Sequence, residues 1–392
     1  MKAIQLDKQI KRHVIARRHG MHAVTAPGAE AVCARELAAL SETVRVEALS
    51  TGGVDFSGRL EDLYRANLYL RTAGRVLLRV MAFKATNFRQ LESQCAAVPW
   101  ERYLPGGVVP ACKVTAHRSR LYHSGAIAGR VTSVIGRYWA DRQVPAMEAA
   151  GQTLLVRLED DRAVFSLDSS GDNLYRRGLK THSALAPLRE TLAAAILSMA
   201  GYDPARPLLD PMCGAGTFSL EAALMAKGIA PGSRRGFAFM QWPAFRPRQW
   251  QHLVKKGAET HRLLERPTIH ASDLDAEACR KLGACVQNND LADAVTVACR
   301  DFFALEGTLN GRVAQPGLIV LNPPYGRRLS PGETSRAFYS RMGAKLGRDF
   351  RGWDLAVVVP DAALVATLPF TLNTFPLSHG GLPLQLLVGR IG

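Results

Sequence analysis

The sequence has 392 residues, of which 47% are hydrophobic, so it can form two or three domains with substantial cores and is not a disordered protein. Its 50 Lys and Arg residues outnumber 34 Asp and Glu residues, which gives a formal net charge of +16 and favours a polyanionic partner. Charge alone does not exclude a basic protein that lacks such a partner.

Cysteine usage and the amino terminus indicate a compartment. The seven cysteines are odd in number and include no Cys-x-x-Cys pair, which argues against a disulfide framework or a structural zinc site. We therefore expect no bound metal and a reducing cytoplasm. The basic amino terminus lacks the apolar core of a signal peptide, and no run of 18 apolar residues occurs, so we expect neither secretion nor membrane insertion.

Helices and strands alternate in residues 1–165. The sequence predicts a helix at 29–40, a strand at 44–46, a helix at 60–70 and a strand at 75–83, from their apolar spacing. This alternation predicts a small α+β or α/β module ahead of a second domain at 166–392.

Residues 113–142 combine basic and aromatic side chains. They carry six Lys or Arg residues against the single acid Asp141, with two Tyr and one Trp interleaved. Basic groups neutralise phosphates and rings stack on unpaired bases, so the composition suits single-stranded RNA. A solvated helix face with its aromatic rings in the core is the alternative. The candidate RNA contacts here are Arg118, Arg120 and Arg130.

A basic segment leads into the second domain. Arg176, Arg177 and Lys180 follow a turn cluster and could contact RNA phosphates or form a basic linker. Pro187 suits the first turn of the next helix, which keeps one apolar face and ends before Gly201.

Residues 208–218 read as a strand, a glycine turn and the start of a helix. Gly214 and Gly216 let the backbone approach a ligand without Cβ obstruction, and the helix amino terminus favours an anionic group. The segment lacks the Gly-Lys-Ser/Thr of a phosphate-binding loop. Ser219 stands where the dinucleotide fingerprint needs Gly or Ala.

A second strand is predicted at 269–273. The acid at its end lies much farther from the glycine turn in sequence than the usual separation of about 20 residues. Either Asp273 or Asp275 could accept hydrogen bonds from a ligand, and either could cap the next helix. A basic and aromatic insertion at 228–267 explains the distance. We interpret it as a second RNA-facing element that includes Arg234 and Arg235, with part of it a packed helix whose aromatic rings are core.

The remaining strands are predicted at 295–298, 318–321, 355–359 and 384–391, the last in an antiparallel hairpin that closes a seven-stranded sheet. Pro323 and Pro324 end the strand at 318–321 abruptly and leave Asn322 in a stiff turn at its carboxyl end, where ligands bind in open α/β sheets. The Asn322 side-chain oxygen and a rigid backbone carbonyl offer two acceptors to an NH2 group, and Tyr325 can stack on the base that carries it.

Together these segments resemble a known family. Asn-Pro-Pro-Tyr at 322–325, Asp-Pro-Met-Cys-Gly-Ala-Gly-Thr-Phe at 210–218, and the segments 175–178 and 186–194 resemble class I S-adenosylmethionine-dependent RNA guanine-N2 methyltransferases, such as bacterial 23S rRNA enzymes. The Gly52-Gly53-Val54 turn and the segments that follow it, up to Ile135, resemble their ferredoxin-like region and THUMP domain. The resemblance covers nearly the whole chain and is stronger after Leu174.

The resemblance implies a Rossmann-like methyltransferase domain, S-adenosylmethionine as cofactor and a role for each site residue. Asn322, Pro323 and Tyr325 would be catalytic, Asp210 would lie near the amino acid end of the cofactor, Asp273 at its ribose, and Asp301 with Phe302 at its adenine. The implied cofactor-binding residues are Asp210, Cys213, Gly214, Gly216, Thr217, Phe218, Asp273, Asp301, Phe302 and Asn322.

The substrate remains open between several alternatives. Ribosomal RNA is the first expectation and tRNA the second, without an obligate protein partner. A DNA adenine-N6 or protein glutamine methyltransferase could use the same Asn-Pro-Pro-Tyr because each target presents an NH2 group, although the basic front half favours RNA. A non-catalytic RNA-binding assembly factor could also keep this fold.

Overall fold

The chain folds into two compact units. The computed structural model describes residues 3–179, 188–306, 308–309, 312–313, 315–324 and 334–392. The first unit comprises Met1–Thr25, Ala34–Leu174 and Arg235–Val254, and the second comprises Ala26–Cys33, Tyr175–Arg234 and Lys255–Gly392.

Ten α-helices are present in the described part of the chain. In chain order they are α1 (Ala3–Ile10), α2 (Glu30–Leu40), α3 (Leu60–Tyr69), α4 (Phe88–Ala97), α5 (Ser124–Ala140), α6 (Glu190–Met199), α7 (Thr217–Ala226), α8 (Pro247–Ala258), α9 (Ala276–Asn288) and α10 (Ser335–Asp349).

The first unit contains a mixed sheet of seven strands in the spatial order β2-β3-β1-β4-β7-β6-β5. All neighbours are antiparallel except β5 and β6, which are parallel. The strands are β1 (His19–Thr25), β2 (Arg45–Ser50), β3 (Gly53–Gly58), β4 (Ala73–Lys84), β5 (Val108–His117), β6 (Met147–Glu159) and β7 (Arg162–Asp168).

An aromatic cluster from the segment Arg235–Val254 lies in the core of this first unit. Phe239 is fully buried, and its ring stacks on Tyr64 with centroids 4.7 Å apart. The ring centroids of Phe237, Phe245 and Trp250 lie 5.3 to 5.8 Å from the ring centroid of Phe239. The sequence interpretation assigns all of 228–267 to the second domain, whereas these residues pack with the first unit and their rings are core.

The second unit contains another seven-stranded sheet, in the order β10-β9-β8-β13-β14-β16-β15. The first five strands are parallel, and β16 is antiparallel to both of its neighbours. The strands are β8 (Leu208–Asp210), β9 (Ile269–Asp273), β10 (Val295–Cys299), β13 (Leu318–Leu321), β14 (Asp354–Val359), β15 (Leu372–His379) and β16 (Leu382–Arg390), with a short hairpin of β11 (Thr308–Leu309) and β12 (Arg312–Val313) before β13.

Apolar residues cover both faces of this second sheet. On one face Leu208, Ile269 and Val320 pack with residues of α6, α7 and α9. On the other, Ile319 and Leu321 pack with residues of α10. Because the parallel strands are buried on both faces, they read as continuous apolar runs, which is why the sequence located β13 and β14.

The predicted fold class is confirmed: the second unit is a Rossmann-like sheet closed by an antiparallel hairpin, and the first unit mixes helices with a sheet. Across the residues described, no helix is both long and apolar enough to cross a membrane.

The aromatic cluster gives a stability prediction for the first unit. Phe239→Ala removes a ring that contacts four aromatic neighbours, so we expect a loss of about 3–5 kcal/mol in unfolding free energy, measured by urea denaturation. Leu49→Ala is the control, because Leu49 is exposed and should change stability by less than about 0.5 kcal/mol. An unchanged unfolding midpoint for Phe239→Ala would contradict a core role for this segment.

Candidate active site

Four polar residues follow the carboxyl ends of adjacent parallel strands in the second unit. Asp210 ends β8, Asp273 ends β9, Asp301 follows β10 by two residues, and Asn322 directly follows β13. The strand register pairs Asp210 with Ala271 and Asp273 with Cys299. The four residues therefore lie along one edge of the sheet, the edge at which open α/β sheets bind ligands.

Asp210 is buried beneath this edge. Its Oδ2 accepts a hydrogen bond of 2.7 Å from the Ser219 hydroxyl of α7. Burial raises the pKa of Asp210 to about 7, the charge of Asp273 adds to the rise, and the Ser219 hydrogen bond opposes it. Since removing a charged carboxylate from water is unfavourable, a nearby cation would stabilise the ionised form.

The turn between β8 and α7 is held against β9 by hydrogen bonds that its backbone N–H groups donate. The Gly214 N–H donates to Asp273 Oδ2 at 2.8 Å, and the Cys213 N–H donates to the Ser272 carbonyl at 3.0 Å. Gly214 and Gly216 have φ values of 51° and 74°, which are in the left-handed region that favours glycine. The turn is thus fixed in position by its neighbouring strand.

The two glycines of this turn meet different surroundings. A Cβ at Gly216 would lie 2.3 Å from a methyl carbon of Leu282, whereas a Cβ at Gly214 would meet no heavy atom within 4 Å. Gly216 is therefore required by packing between α7 and α9. Gly214 faces open space beside the Asp273 carboxylate, so the turn fits a ligand that approaches the backbone there.

Asp273 and Asp275 have different hydrogen-bond partners. Asp273 accepts from the N–H groups of Gly214 and Asp275. Asp275 is the N-cap of α9 and accepts from the N–H groups of Glu277 and Ala278 at 2.8 and 3.3 Å. The Asp275 carboxylate is therefore engaged in capping α9, and Asp273 is the acid that contacts the glycine turn.

Three further residues of the turn are predicted to bind the cofactor. Thr217 is partly exposed at the first position of α7. Phe218 is buried in the apolar core on one face of the sheet. Cys213 is also buried, and this burial raises the pKa of its thiol far above the usual value. The Cys213 side chain is therefore a neutral, apolar wall of the turn.

Asp301 and Phe302 lie after β10. Asp301 is exposed and caps a short 3₁₀ helix, Phe302–Ala304, by accepting from the Phe303 N–H at 3.0 Å. Phe302 is buried among residues on the α10 face of the sheet. The buried Lys345 of α10 donates to the Leu305 carbonyl, which fixes the end of this segment.

Asn322 stands immediately after four buried strand residues. It is partly exposed, and Pro323 is buried. The Asn322 side chain makes no hydrogen bond with any residue that the structure describes, so its amide oxygen is available as an acceptor. Tyr325, the third predicted catalytic residue, lies outside the described residues.

The predicted RNA contacts in the first unit are paired with acids. Arg118 contacts Asp160 at 3.0 Å, Arg120 contacts Asp161 at 3.7 Å, and Arg130 contacts Glu92 at 2.6 Å. Exposed ion pairs contribute only about 0–1 kcal/mol, so the three arginines remain able to exchange these partners for phosphates.

The other predicted RNA contacts have varied environments. Arg176 is exposed. Arg177 is buried and bonds both oxygens of Glu221 at 2.8 and 3.2 Å, so an RNA contact would require that pair to open. In the second unit Arg234 donates to the Asn289 side chain at 2.6 Å, and in the first unit Arg235 donates to the carbonyls of Asn173 and Asp172 at 2.6 and 2.7 Å.

Sequence reasoning missed Ser219 and Lys345 as supporting residues. In the sequence Ser219 stands out only as a departure from the dinucleotide fingerprint, yet its hydroxyl contacts Asp210. A Ser or Thr in the first turn of a helix, shortly after a buried acid at a strand end, could have indicated a hydrogen bond between the two side chains. Lys345 sits in a helix 40 residues after its partner Leu305, and no local pattern indicates that contact.

The strand order and the site define the class of the second unit. Numbered in chain order within the seven-stranded sheet, its strands lie in the order 3-2-1-4-5-7-6, with a glycine turn after the first, acids after the first three, and Asn-Pro-Pro after the fourth. This is the arrangement of a class I methyltransferase.

The comparisons with known proteins identify the family. Residues 177–370 match the RMKL-like methyltransferase domain (UPF0020), and residues 21–77 match the RlmL ferredoxin-like domain. A putative RNA methyltransferase of Synechocystis is 35% identical, over 93% of this chain and 95% of the relative. The chain belongs to the RMKL-like methyltransferase family, and the predicted family and ferredoxin-like region are confirmed. The THUMP assignment stays a prediction.

Two further proteins are similar over most of the chain. The ribosomal RNA large subunit methyltransferase K/L of Syntrophotalea carbinolica is 34% identical, over 93% of this chain and 52% of the relative. This chain thus spans about half the length of that protein. A crystal structure of a putative methyltransferase complexed with S-adenosylhomocysteine has 26% identity and a TM-score of 0.86, over 96% of this chain and 99% of that one.

The two glycines give contrasting predictions. Gly216→Ala brings its Cβ to 2.3 Å from Leu282, so we expect a loss of at least about 1–3 kcal/mol in stability. Gly214→Ala carries only the backbone strain of a positive φ, about 1–2 kcal/mol, but places a methyl group where a ligand would approach.

Thermal unfolding and cofactor titration would separate the two effects. We expect S-adenosylhomocysteine to bind Gly214→Ala at least about tenfold more weakly at a temperature at which the variant is folded. Normal cofactor affinity for folded Gly214→Ala would place the ligand elsewhere.

The pKa of Asp210 predicts a pH-dependent stability of the ligand-free protein. Its folded pKa, about 7, exceeds the ordinary value of 3.8, so the folded state binds more protons than the unfolded state between these values. Stability contributed by protonated Asp210 is therefore lost as pH rises from about 4 to about 7. In Asp210→Asn, melting temperatures measured across this range without cofactor should lack that part of the decline. Equal pH profiles would show that Asp210 titrates normally.

Proposed function

We propose that the protein transfers a methyl group from S-adenosylmethionine to the exocyclic N2 of a guanine in RNA, with large-subunit ribosomal RNA as the substrate. The observation that carries the proposal is Asn322, whose side-chain oxygen is without a partner among the described residues at the same sheet edge as the glycine turn. An acceptor pair at this edge suits an NH2 group.

S-adenosylmethionine is the cofactor, and the residues of the turn fit it. The open space at Gly214 admits a ligand against the backbone, and the α7 amino terminus favours its carboxylate. Asp210 favours its cationic amine, because a positive charge stabilises the ionised form of a buried acid. Asp273 and Asp301 would accept hydrogen bonds from its ribose and adenine. When bound, the cofactor supplies a methyl group carried on a sulfonium.

The chain itself would orient the target amine. The Asn322 amide oxygen and the Pro323 carbonyl would each accept one hydrogen of N2, which leaves the nitrogen lone pair free to react. Tyr325 would stack on the guanine after the base leaves its stack, at a cost of a few kcal/mol. Rate acceleration would come from this positioning and from stabilising positive charge on nitrogen. No strong base is required, because the alkylated amine readily loses its proton.

The RNA substrate is supported by charge and by the relatives. The net charge of +16 suits a polyanion, and the two curated relatives carry the names putative RNA methyltransferase and ribosomal RNA large subunit methyltransferase. Among the predicted contacts, Arg176 and Arg234 are exposed, and Arg118, Arg120 and Arg130 hold only surface ion pairs. These arginines would contact phosphate.

The test is transfer of labelled methyl from S-adenosylmethionine to unmodified large-subunit rRNA and, in separate reactions, to unmodified tRNA and to unmethylated DNA, followed by nucleoside analysis. We expect N2-methylguanosine in rRNA alone. Label in tRNA would keep the chemistry and change the substrate, and label in adenine of DNA would overturn both base and polymer. Cofactor binding without transfer to any nucleic acid would favour a protein target or a non-catalytic role.

Asn322→Ala tests the catalytic assignment. Because the substitution removes one acceptor for the amine, we expect the turnover number to fall at least about 100-fold, while the dissociation constant for S-adenosylhomocysteine changes less than about threefold. Asn288→Ala, at the exposed end of α9, is the matched control and should keep normal turnover. Near-normal turnover in Asn322→Ala would refute the assignment.

A further inference from the structure

A groove lies between α4 and α5 in the first unit, and Arg130, one of the predicted RNA contacts, pairs with Glu92 of its lining. Its volume is about 450 Å³, and its principal lining residues are Arg89, Glu92, Val134, Arg137, Tyr138 and Arg142. The volume is sufficient for a phosphodiester with its sugar, so the groove is large enough for one unit of a nucleic acid chain.

Positive charge exceeds negative charge in this groove. Arg89 and Arg137 are exposed, and neither has an ion-pair partner among the residues described. The Arg142 guanidinium lies 3.6 Å from the centre of the Tyr138 ring, a contact that leaves its charge unneutralised. Of the two carboxylates on the lining, Glu92 is neutralised by Arg130 at 2.6 Å, and Asp141 is exposed.

These cations differ from the arginines that the sequence singled out. Arg118, Arg120 and Arg130 each contact an acid. The arginines at positions 89, 137 and 142 instead converge on one concave surface, and none of them forms an ion pair with a described residue. A phosphate in the groove would gain charge-assisted hydrogen bonds with guanidinium groups without breaking an existing ion pair.

Both groove walls are helices whose inner faces are packed in the core of the first unit. Asn87 caps α4 by accepting from the Gln90 N–H, and Leu91 and Cys95 bury the inner face of the same helix. Val131 and Ile135 bury the inner face of α5. Arg89 and Arg137 therefore project from two packed helices rather than from loops, and binding orders little backbone.

We propose that the α4–α5 groove binds the phosphodiester backbone of a single-stranded segment of the RNA substrate. This assignment rests on the proposed function, because it takes RNA as the polyanion. Tyr138 and Val134 are almost entirely buried, and Arg142 lies over the Tyr138 ring, so recognition is of the backbone: the three arginines take the phosphate oxygens. Such a site adds affinity without acting on the reacting atoms, so it should affect substrate binding and not the chemical step.

The experiment uses the whole 392-residue chain and a fluorescein-labelled single-stranded oligoribonucleotide about 12 nucleotides long, titrated by anisotropy at several salt concentrations. The test variant is the double charge reversal Arg89→Glu/Arg137→Glu. The matched control is Arg45→Glu, an exposed arginine of β2, which lies at the opposite edge of the sheet from β5. Conservative Arg89→Lys/Arg137→Lys keeps the charge.

We expect the charge reversal to weaken oligoribonucleotide binding at least about tenfold and to reduce the slope of log affinity against log salt by about 1.4, or roughly 0.7 for each phosphate that is no longer neutralised. The lysine variant should keep the wild-type slope, and Arg45→Glu should bind within about threefold of wild type. For methyl transfer, the charge reversal should raise KM for RNA and leave kcat unchanged. Melting temperatures would establish that the variants are folded.

Several results would overturn the assignment. Oligoribonucleotide affinity and salt slope that are equal in the charge-reversed and wild-type proteins would exclude the groove as an RNA site. Displacement of the oligoribonucleotide by millimolar inorganic phosphate at constant ionic strength would assign the groove to a free anion. If the variants bind RNA weakly but the wild type methylates no RNA, the proposed function fails while the groove stands.

Discussion

The hydrogen bond from the Gly214 N–H to the Asp273 carboxylate is the contact on which the candidate site depends. It joins the turn after β8 to the end of β9 at 2.8 Å, and so fixes two of the four strand ends relative to each other. Asp273 also accepts from the Asp275 N–H, which leaves its carboxylate little freedom. Because the same carboxylate contributes to the raised pKa of Asp210, the turn holds two acids of which one is reluctant to ionise. A cationic ligand group would relieve that repulsion.

Local sequence was sufficient where a backbone feature determines the structure. The apolar strands, the positive-φ glycines and the two prolines after Asn322 each act within a few residues, so the second sheet and the positions of its polar strand ends could be predicted. The sequence could not decide which of Asp273 and Asp275 caps the helix and which faces the glycine turn, because both lie within two residues of the strand end. Their difference comes from the partners that each accepts: Asp275 caps α9, whereas Asp273 reaches across to the turn after another strand.

Amino-acid composition predicted less about the structure than these local features did, because it does not reveal which residues distant in sequence are in contact. The aromatic residues of 235–254 suited an RNA surface and a core equally, and Phe239 and Trp250 pack around Tyr64, about 180 residues earlier. Arg177 belonged to a basic segment, yet it pairs with Glu221, 44 residues away. The net charge of +16 likewise does not locate a binding surface. Arg118, Arg120 and Arg130 each contact an acid, whereas Arg137 of the same basic segment forms no ion pair with a described residue, which only the fold establishes.

The composition of the Asn322 turn also constrains the reaction. Pro323 and Pro324 have no N–H groups, so the carbonyls of 322–324 and the Asn322 side-chain oxygen provide more acceptors than the segment has donors. A target hydroxyl presents one hydrogen and would satisfy one of these acceptors, whereas an NH2 group presents two hydrogens and can satisfy two at once. Among these residues Pro323 is buried, and a buried acceptor without a donor costs about 1–3 kcal/mol. Under the proposed function, the turn therefore suits a nitrogen rather than an oxygen as the methylated atom.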